Sequence, residues 1–232
     1  MLLCLWENTP LQKIQLDIVS DVVCPWCYLG KKRIESALAS FGADRVEVAW
    51  RPYQLDPDMP KDGMDRKTYY ELKFGDNPKI KAMSDQLVEL GKQAGIQFNF
   101  DDIAWSPNTL NAHRLIRWSR SSNVQDEVVD NLFQRYFQNG ENIGAHDVLL
   151  GIAKDVGMDI DLVSELLSSD ADSNAVQQEM DQARHMGVSG VPTFIAENRL
   201  AVSGAQEPAV LVNFLEQVAQ QTWLPDGEPS PS

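Results

Sequence analysis

Cysteine is scarce in this chain, three residues in 232, which is an odd number and too few for a disulfide scaffold. Basic residues are also in deficit, 20 Lys and Arg against 34 Asp and Glu, and the formal charge of −14 sets up a field that repels phosphate. That argues against nucleic acid and against an anionic membrane surface as partners. No stretch approaches the ~20 apolar residues of a membrane span. The run Met1-Leu2-Leu3-Cys4-Leu5-Trp6 is too short for the apolar core of a secretion signal and has no cationic segment before it. The expected location is the cytoplasm, where standing disulfides are uncommon and paired cysteines are catalytic or metal-binding.

What is present starts with Cys24-Pro25-Trp26-Cys27. The motif follows a short apolar run, residues 14–23, and precedes a segment with helical spacing. A C-x-x-C at a strand-to-helix junction puts one sulfur at the helix N-terminus, where free backbone N–H groups and the positive end of the helix dipole favour a thiolate. The thiolate is the nucleophile of disulfide chemistry, so this placement makes a reactive cysteine.

Ile14, Leu16 and Ile18 alternate with polar neighbours and predict a strand. Leu29, Ile34, Leu38 and Phe41 lie near helical spacing and stop at Gly42. Residues 45–50, with Val46, Val48 and Trp50 alternating, predict a second strand closed by Pro52. The unit is β–α–β, hence two parallel strands. Beyond a Pro- and Asp-rich linker at 55–63, helical stripes follow one another without a strand signal. They run through Ile80, Met83, Leu87 and Leu90, then through a helix opened by Ser106-Pro107. Val124 to Tyr136, Val148 to Val156, and Val163 to Leu167 continue the series. Strands return at 192–196 and 200–203, with an antiparallel hairpin around Glu197-Asn198. A last helix begins at Glu207-Pro208.

The order β–α–β, helical insertion, β–β–α predicts an α/β thioredoxin fold carrying a large all-α insertion. The expected division is residues 13–60 and 186–221 for a discontinuous thioredoxin-like domain, 61–185 for the inserted helical domain, and 222–232 for a disordered tail. Gly190-Val191-Pro192-Thr193 falls just before the third strand, where that fold carries a cis-proline loop facing its thiols, and an X–Pro bond adopts cis at a cost of only about 0.5–1 kcal/mol. Such a loop would present Val191 backbone groups to an extended substrate.

Several motifs together resemble the DsbA-like thioredoxin family, in particular its FrnE-like branch, which sits beside the 2-hydroxychromene-2-carboxylate isomerases in one superfamily. They are residues 20–31, Trp50-Arg51-Pro52-Tyr53 with Leu55-Asp56-Pro57, Asn111-Ala112-His113-Arg114-Leu115, and residues 187–194 followed by Ser203-Gly204-Ala205-Gln206. The likeness runs from about Ile14 to Val218. It implies that Cys24 is the attacking thiol, Cys27 the resolving thiol and Pro192 the cis-proline. Trp26 reads either as a packing residue or, as an aromatic between two redox cysteines, as a contact for substrate; contact is the expectation, with Pro25 and the Val191 backbone beside it. The likeness implies no cofactor beyond a redox-active Cys24–Cys27 disulfide, with glutathione as an optional co-substrate, and partners that are protein or small-molecule disulfides and thiols. Pro25-Trp26 departs from the Pro-His pair of DsbA itself and offers no imidazole to the thiolate, which puts strong oxidant behaviour in question.

Other readings of the same residues are plainer. A zinc site would need two more ligands beside the C-x-x-C, and Cys4, His113, His146 and His185 are not paired at ligand spacing. The histidines read as surface or helix-packing residues, although His113 falls in a family-like motif. Cys4 reads as an incidental thiol, and Lys31-Lys32-Arg33 as a solvated helix face. Two functions compete with thiol–disulfide exchange. One is a glutathione-dependent isomerase or transferase of the kappa-class or hydroxychromene-carboxylate type, whose members carry serine where Cys24 stands and typically Ser-Asp where this chain has Ala205-Gln206. The other is a binding or chaperone module, indifferent to loss of both cysteines.

Overall fold

The computed structural model of the chain describes residues 13–75 and 77–221; Cys4 and the tail at 222–232 lie outside them. β1 (Ile14–Ser20) leads into α1 (Pro25–Phe41) and then β2 (Val46–Pro52). β1 and β2 are parallel, with Ile14 opposite Val46 and Ser20 opposite Pro52. The alternation in β1 sorts its side chains to two faces. Leu16 and Ile18 join a core with Leu29 and Ile34 of α1, whereas Val19 packs with Tyr53, Ala183, Val188 and Ile195 on the other face. α1 ends where Gly42 takes φ 110° and its N–H caps the Leu38 carbonyl, a backbone conformation that glycine adopts without a steric penalty.

The region after β2 holds two elements that the periodicity does not show. β3 (Met64–Asp65) pairs antiparallel with β4 (Trp105–Ser106), separated by α2 (Arg66–Phe74) and α3 (Pro78–Gln93). A strand signal therefore does interrupt the helical block. Ser106 belongs to it, and the next helix, α4 (Leu110–Ser119), starts later than Ser106-Pro107 predicts. Asn108 Oδ1 accepts the Leu110 N–H at 3.0 Å and sets that start. α5 (Gln125–Phe137), α6 (His146–Asp155), α7 (Ile160–Leu167) and α8 (Ser173–His185) complete the insertion. α4 packs on both α5 and α8, and α8 lies against β2.

β5 (Thr193–Ala196) and β6 (Leu200–Ser203) return to the first sheet in the order β2-β1-β5-β6, antiparallel to β1 and to each other. Their turn is the one expected. Glu197 (φ 53°) and Asn198 (φ 55°) both take left-handed backbone, as a two-residue hairpin of matching twist requires. Glu197 is an unusual residue there, and its carboxylate accepts the Gln15 N–H at 2.8 Å, fixing the turn to β1. α9 (Pro208–Gln220) then packs on α1 through Leu211, Phe214, Leu215 and Val218. This is a thioredoxin fold with a helical insertion between β2 and β5.

Candidate active site

The end of β1 and the start of α1 put Cys24 at the helix N-cap (φ −92°, ψ 113°), with Pro25 in the first turn. Proline suits that position because its missing N–H would have no intrahelical partner. No side chain caps this terminus. The turn before it is closed by Cys24 N–H to Asp21 O at 3.0 Å, and Cys27 N–H returns to Cys24 O at 3.0 Å. Both thiols are free; Cys24 is 4% exposed and Cys27 fully buried. Burial pushes the Cys27 thiol well above its ordinary range, and proximity to Cys24 adds to the effect; the nearby Ser20 hydroxyl and the Asp21 backbone N–H act the other way.

The second wall comes from the other half of the fold. The Val191–Pro192 bond is cis, and Cys24 Sγ–H points to Val191 O at 3.8 Å. The loop is held from behind by Thr193 Oγ1 donating to Gly190 O at 2.8 Å and Gly204 N–H donating to Pro192 O at 2.8 Å. Gly30 lets α1 come up to it, since a Cβ there would lie 2.8 Å from Pro192 Cγ. Cys24, Cys27, Pro192 and Val191 are thus brought together. Pro25 and Trp26 beside them are half-buried, with Trp26 packed in part on the core.

The basic run after the motif is not a solvated face. Lys31 is 1% exposed and pairs with Glu35 and, at 2.8 Å, with Asp126 of α5. Lys32 reaches Asp130 at 2.6 Å. Arg33 donates to Ala205 O and Glu207, fastening α1 to the start of α9. Only Glu35 lies in the same helix; the other partners come from distant segments, which spacing along one helix does not reveal.

Residues without an assigned role also converge here. Asp21, 1% exposed, accepts the Leu55 N–H on Oδ2 at 2.8 Å. His113, 3% exposed, brings Nε2 to 3.0 Å from Tyr53 O and 3.5 Å from Asp21 Oδ1. Tyr28, next to Cys27, stacks on Phe133 and accepts from Gln138 Nε2 at 2.6 Å. Asp21 was visible in sequence as an acid inside an apolar run three residues before Cys24. The other two histidines lie elsewhere: His146 begins α6, and His185 ends α8 with Nδ1 2.7 Å from Asp181 O. Among the described residues no three His, Cys, Asp or Glu side chains group as a metal site. No described helix is long and apolar enough to cross a membrane.

Residues 15–216 match the family described as the DSBA-like thioredoxin domain, and the chain belongs to it. YwbO of Bacillus subtilis (strain 168), an uncharacterized protein, is 29% identical over 78% of this chain and 86% of its own. The 2-hydroxychromene-2-carboxylate isomerase of Sphingobium xenophagum is 22% identical over 80% of this chain and 90% of its own. A probable DsbA oxidoreductase from Streptomyces coelicolor superposes with a TM-score of 0.83 at 29% identity, over 94% of this chain and 100% of that one. The cytosolic disulfide reductase DsbM from Pseudomonas aeruginosa, solved with GSH, shares the fold at a TM-score of 0.65 and 15% identity, over 88% of this chain and 98% of its own.

Proposed function

We propose that this member of the oxidoreductase and isomerase family exchanges disulfides through Cys24 and Cys27. The observation that carries the reading is the arrangement of one thiol at an uncapped helix N-terminus, 3.8 Å from Val191 O, with the second fully buried behind it. Cys24 thiolate attacks one sulfur of a substrate disulfide. A Cys24–substrate disulfide forms, and the other substrate sulfur leaves as a thiolate that takes a proton from water. Cys27 then loses its proton and attacks Cys24, forming the Cys24–Cys27 disulfide and releasing the second substrate thiolate. The oxidising direction is the reverse. Pro25, Trp26 and the Val191 backbone line the approach for protein or small-molecule disulfides.

In a cytoplasm poised at about −220 to −320 mV such pairs are held mostly reduced, which favours reductase or isomerase work over net oxidation. The test is a pair of variants in a disulfide-exchange assay. Cys24→Ser abolishes turnover, and Cys27→Ser accumulates mixed disulfides with substrate. Full activity in the Cys24 variant sinks the reading.

A glutathione-dependent isomerase or transferase is the second reading. It is favoured by the 22% identity to the hydroxychromene-carboxylate isomerase and by the related fold solved with GSH. Cys24 in place of serine, and Ala205-Gln206 in place of Ser-Asp, weigh against it. Glutathione conjugation that persists in Cys24→Ser would favour this alternative. In the first reading glutathione serves at most as a co-substrate thiol.

A further inference from the structure

Asp21 is a buried acid that the exchange steps do not use. Its Oδ2 is satisfied by the Leu55 N–H, but Oδ1 makes no hydrogen bond. An unsatisfied buried carboxylate oxygen is costly and calls for a reason. The group that faces Oδ1 is His113 Nε2 at 3.5 Å. Tyr53 O, 3.0 Å from the same nitrogen, can only accept, so Nε2 carries a proton. That N–H therefore points into a space shared by the Tyr53 carbonyl and the Asp21 carboxylate. His113 stands on α4, in the insertion; Asp21 stands in the turn whose carbonyl holds the Cys24 N–H at 3.0 Å, and its backbone N–H acts to lower the Cys27 thiol.

We propose that His113 is a positioning residue of the thiol site, which holds the Asp21 carboxylate and thereby sets the negative charge that Cys24 and Cys27 face when they ionise. The inference rests on the proposed thiol chemistry only for its purpose, since ionisation can be measured on the reduced thiols alone. A carboxylate close to a thiol disfavours the thiolate, and an N–H donor that draws on the carboxylate relieves this. The insertion would thus act on the chemistry through one imidazole.

Among the described residues, His113 of α4 faces the Asp21 carboxylate, the Asp21 charge acts to raise Tyr136 of α5, and Arg66 of α2 donates to the Tyr136 hydroxyl at 3.1 Å. Arg184 of α8 donates to Gln54 O at 3.2 Å on the same loop as Leu55.

The experiment is the pH profile of iodoacetamide alkylation of the reduced full chain, read by mass. His113→Ala raises the pH of half-maximal rate by about one unit, on the order of tenfold less thiolate at a given pH. His113→Gln, which keeps an N–H donor, returns most of that shift. Asp21→Asn alone lowers the midpoint, and His113→Ala in an Asp21→Asn background moves it little further. A midpoint unmoved by Asp21→Asn, or a His113→Ala shift equally large in both backgrounds, overturns the proposal. Absence of a reversible Cys24–Cys27 disulfide would instead sink the oxidoreductase reading and leave this result standing.

Discussion

Gly30 and Pro192 touch across the two halves of the fold: a Cβ on Gly30 would lie 2.8 Å from Pro192 Cγ and 3.5 Å from the Phe194 ring. The contact fixes how far the thiol-bearing helix stands from the loop carrying Val191. Gly30→Ala therefore pushes α1 and the loop apart. We expect a loss of about 1–3 kcal/mol in denaturant unfolding, the usual range for overpacking, together with a slower exchange rate. Wild-type stability and rate in this variant would show that the gap between them is not set here.

Lys31 is the buried centre of a charge cluster between α1 and α5, with Glu35, Asp126 and Asp130 around it and Trp50 Nε1 donating to Asp126 at 3.0 Å. The carboxylates are partly exposed, so water recovers part of what they lose. Lys31→Met is expected to cost about 1–3 kcal/mol, measured by urea unfolding, with far-UV circular dichroism unchanged. A neutral effect would mean that the cluster is solvated in solution.

Alkaline pH tests the same region. Burial alone would lower the Lys31 ammonium, but Asp126 and Glu35 outweigh it and hold it above its ordinary value. Burial, then the charge of Asp130, pushes the Tyr28 phenol up to about 12. Both groups keep protons in the folded state that the unfolded chain loses near pH 10. Their contribution is complete below that pH and is lost as pH rises through the folded values. Stability should fall from about pH 10 upward, and less steeply in Tyr28→Phe. An identical slope in that variant would remove Tyr28 from the account.

Trp26 sits half-buried between the thiols. If it contacts substrate, Trp26→Ala raises KM for a protein disulfide by about tenfold, the ~1.4 kcal/mol expected of an aromatic contact. The alkylation rate of the reduced thiols stays the same. An unchanged KM would make Trp26 a packing residue only.

Much of this was legible in the sequence, for physical reasons. The strand at β1, the helix after Cys24 and the Glu197-Asn198 hairpin each have a local signal in alternation, spacing or turn chemistry. The paired strands β3 and β4 span two residues each, too few for a period. α2 buries none of its residues and leaves no stripe to find. α8 is polar along most of its length and buries only Val176, Met180 and Ala183. The Lys31–Asp126 and Asp21–His113 contacts join segments far apart in the chain, so the motif showed the residues without showing their partners.

The central claim is that Cys24 and Cys27 form a working redox couple. Equilibrating the full chain in glutathione buffers and reading the oxidised fraction by alkylation and mass tests it most directly. A reversible two-electron couple between about −120 and −270 mV is expected, lost in Cys24→Ser. Failure to form the intramolecular disulfide at any poise would contradict it.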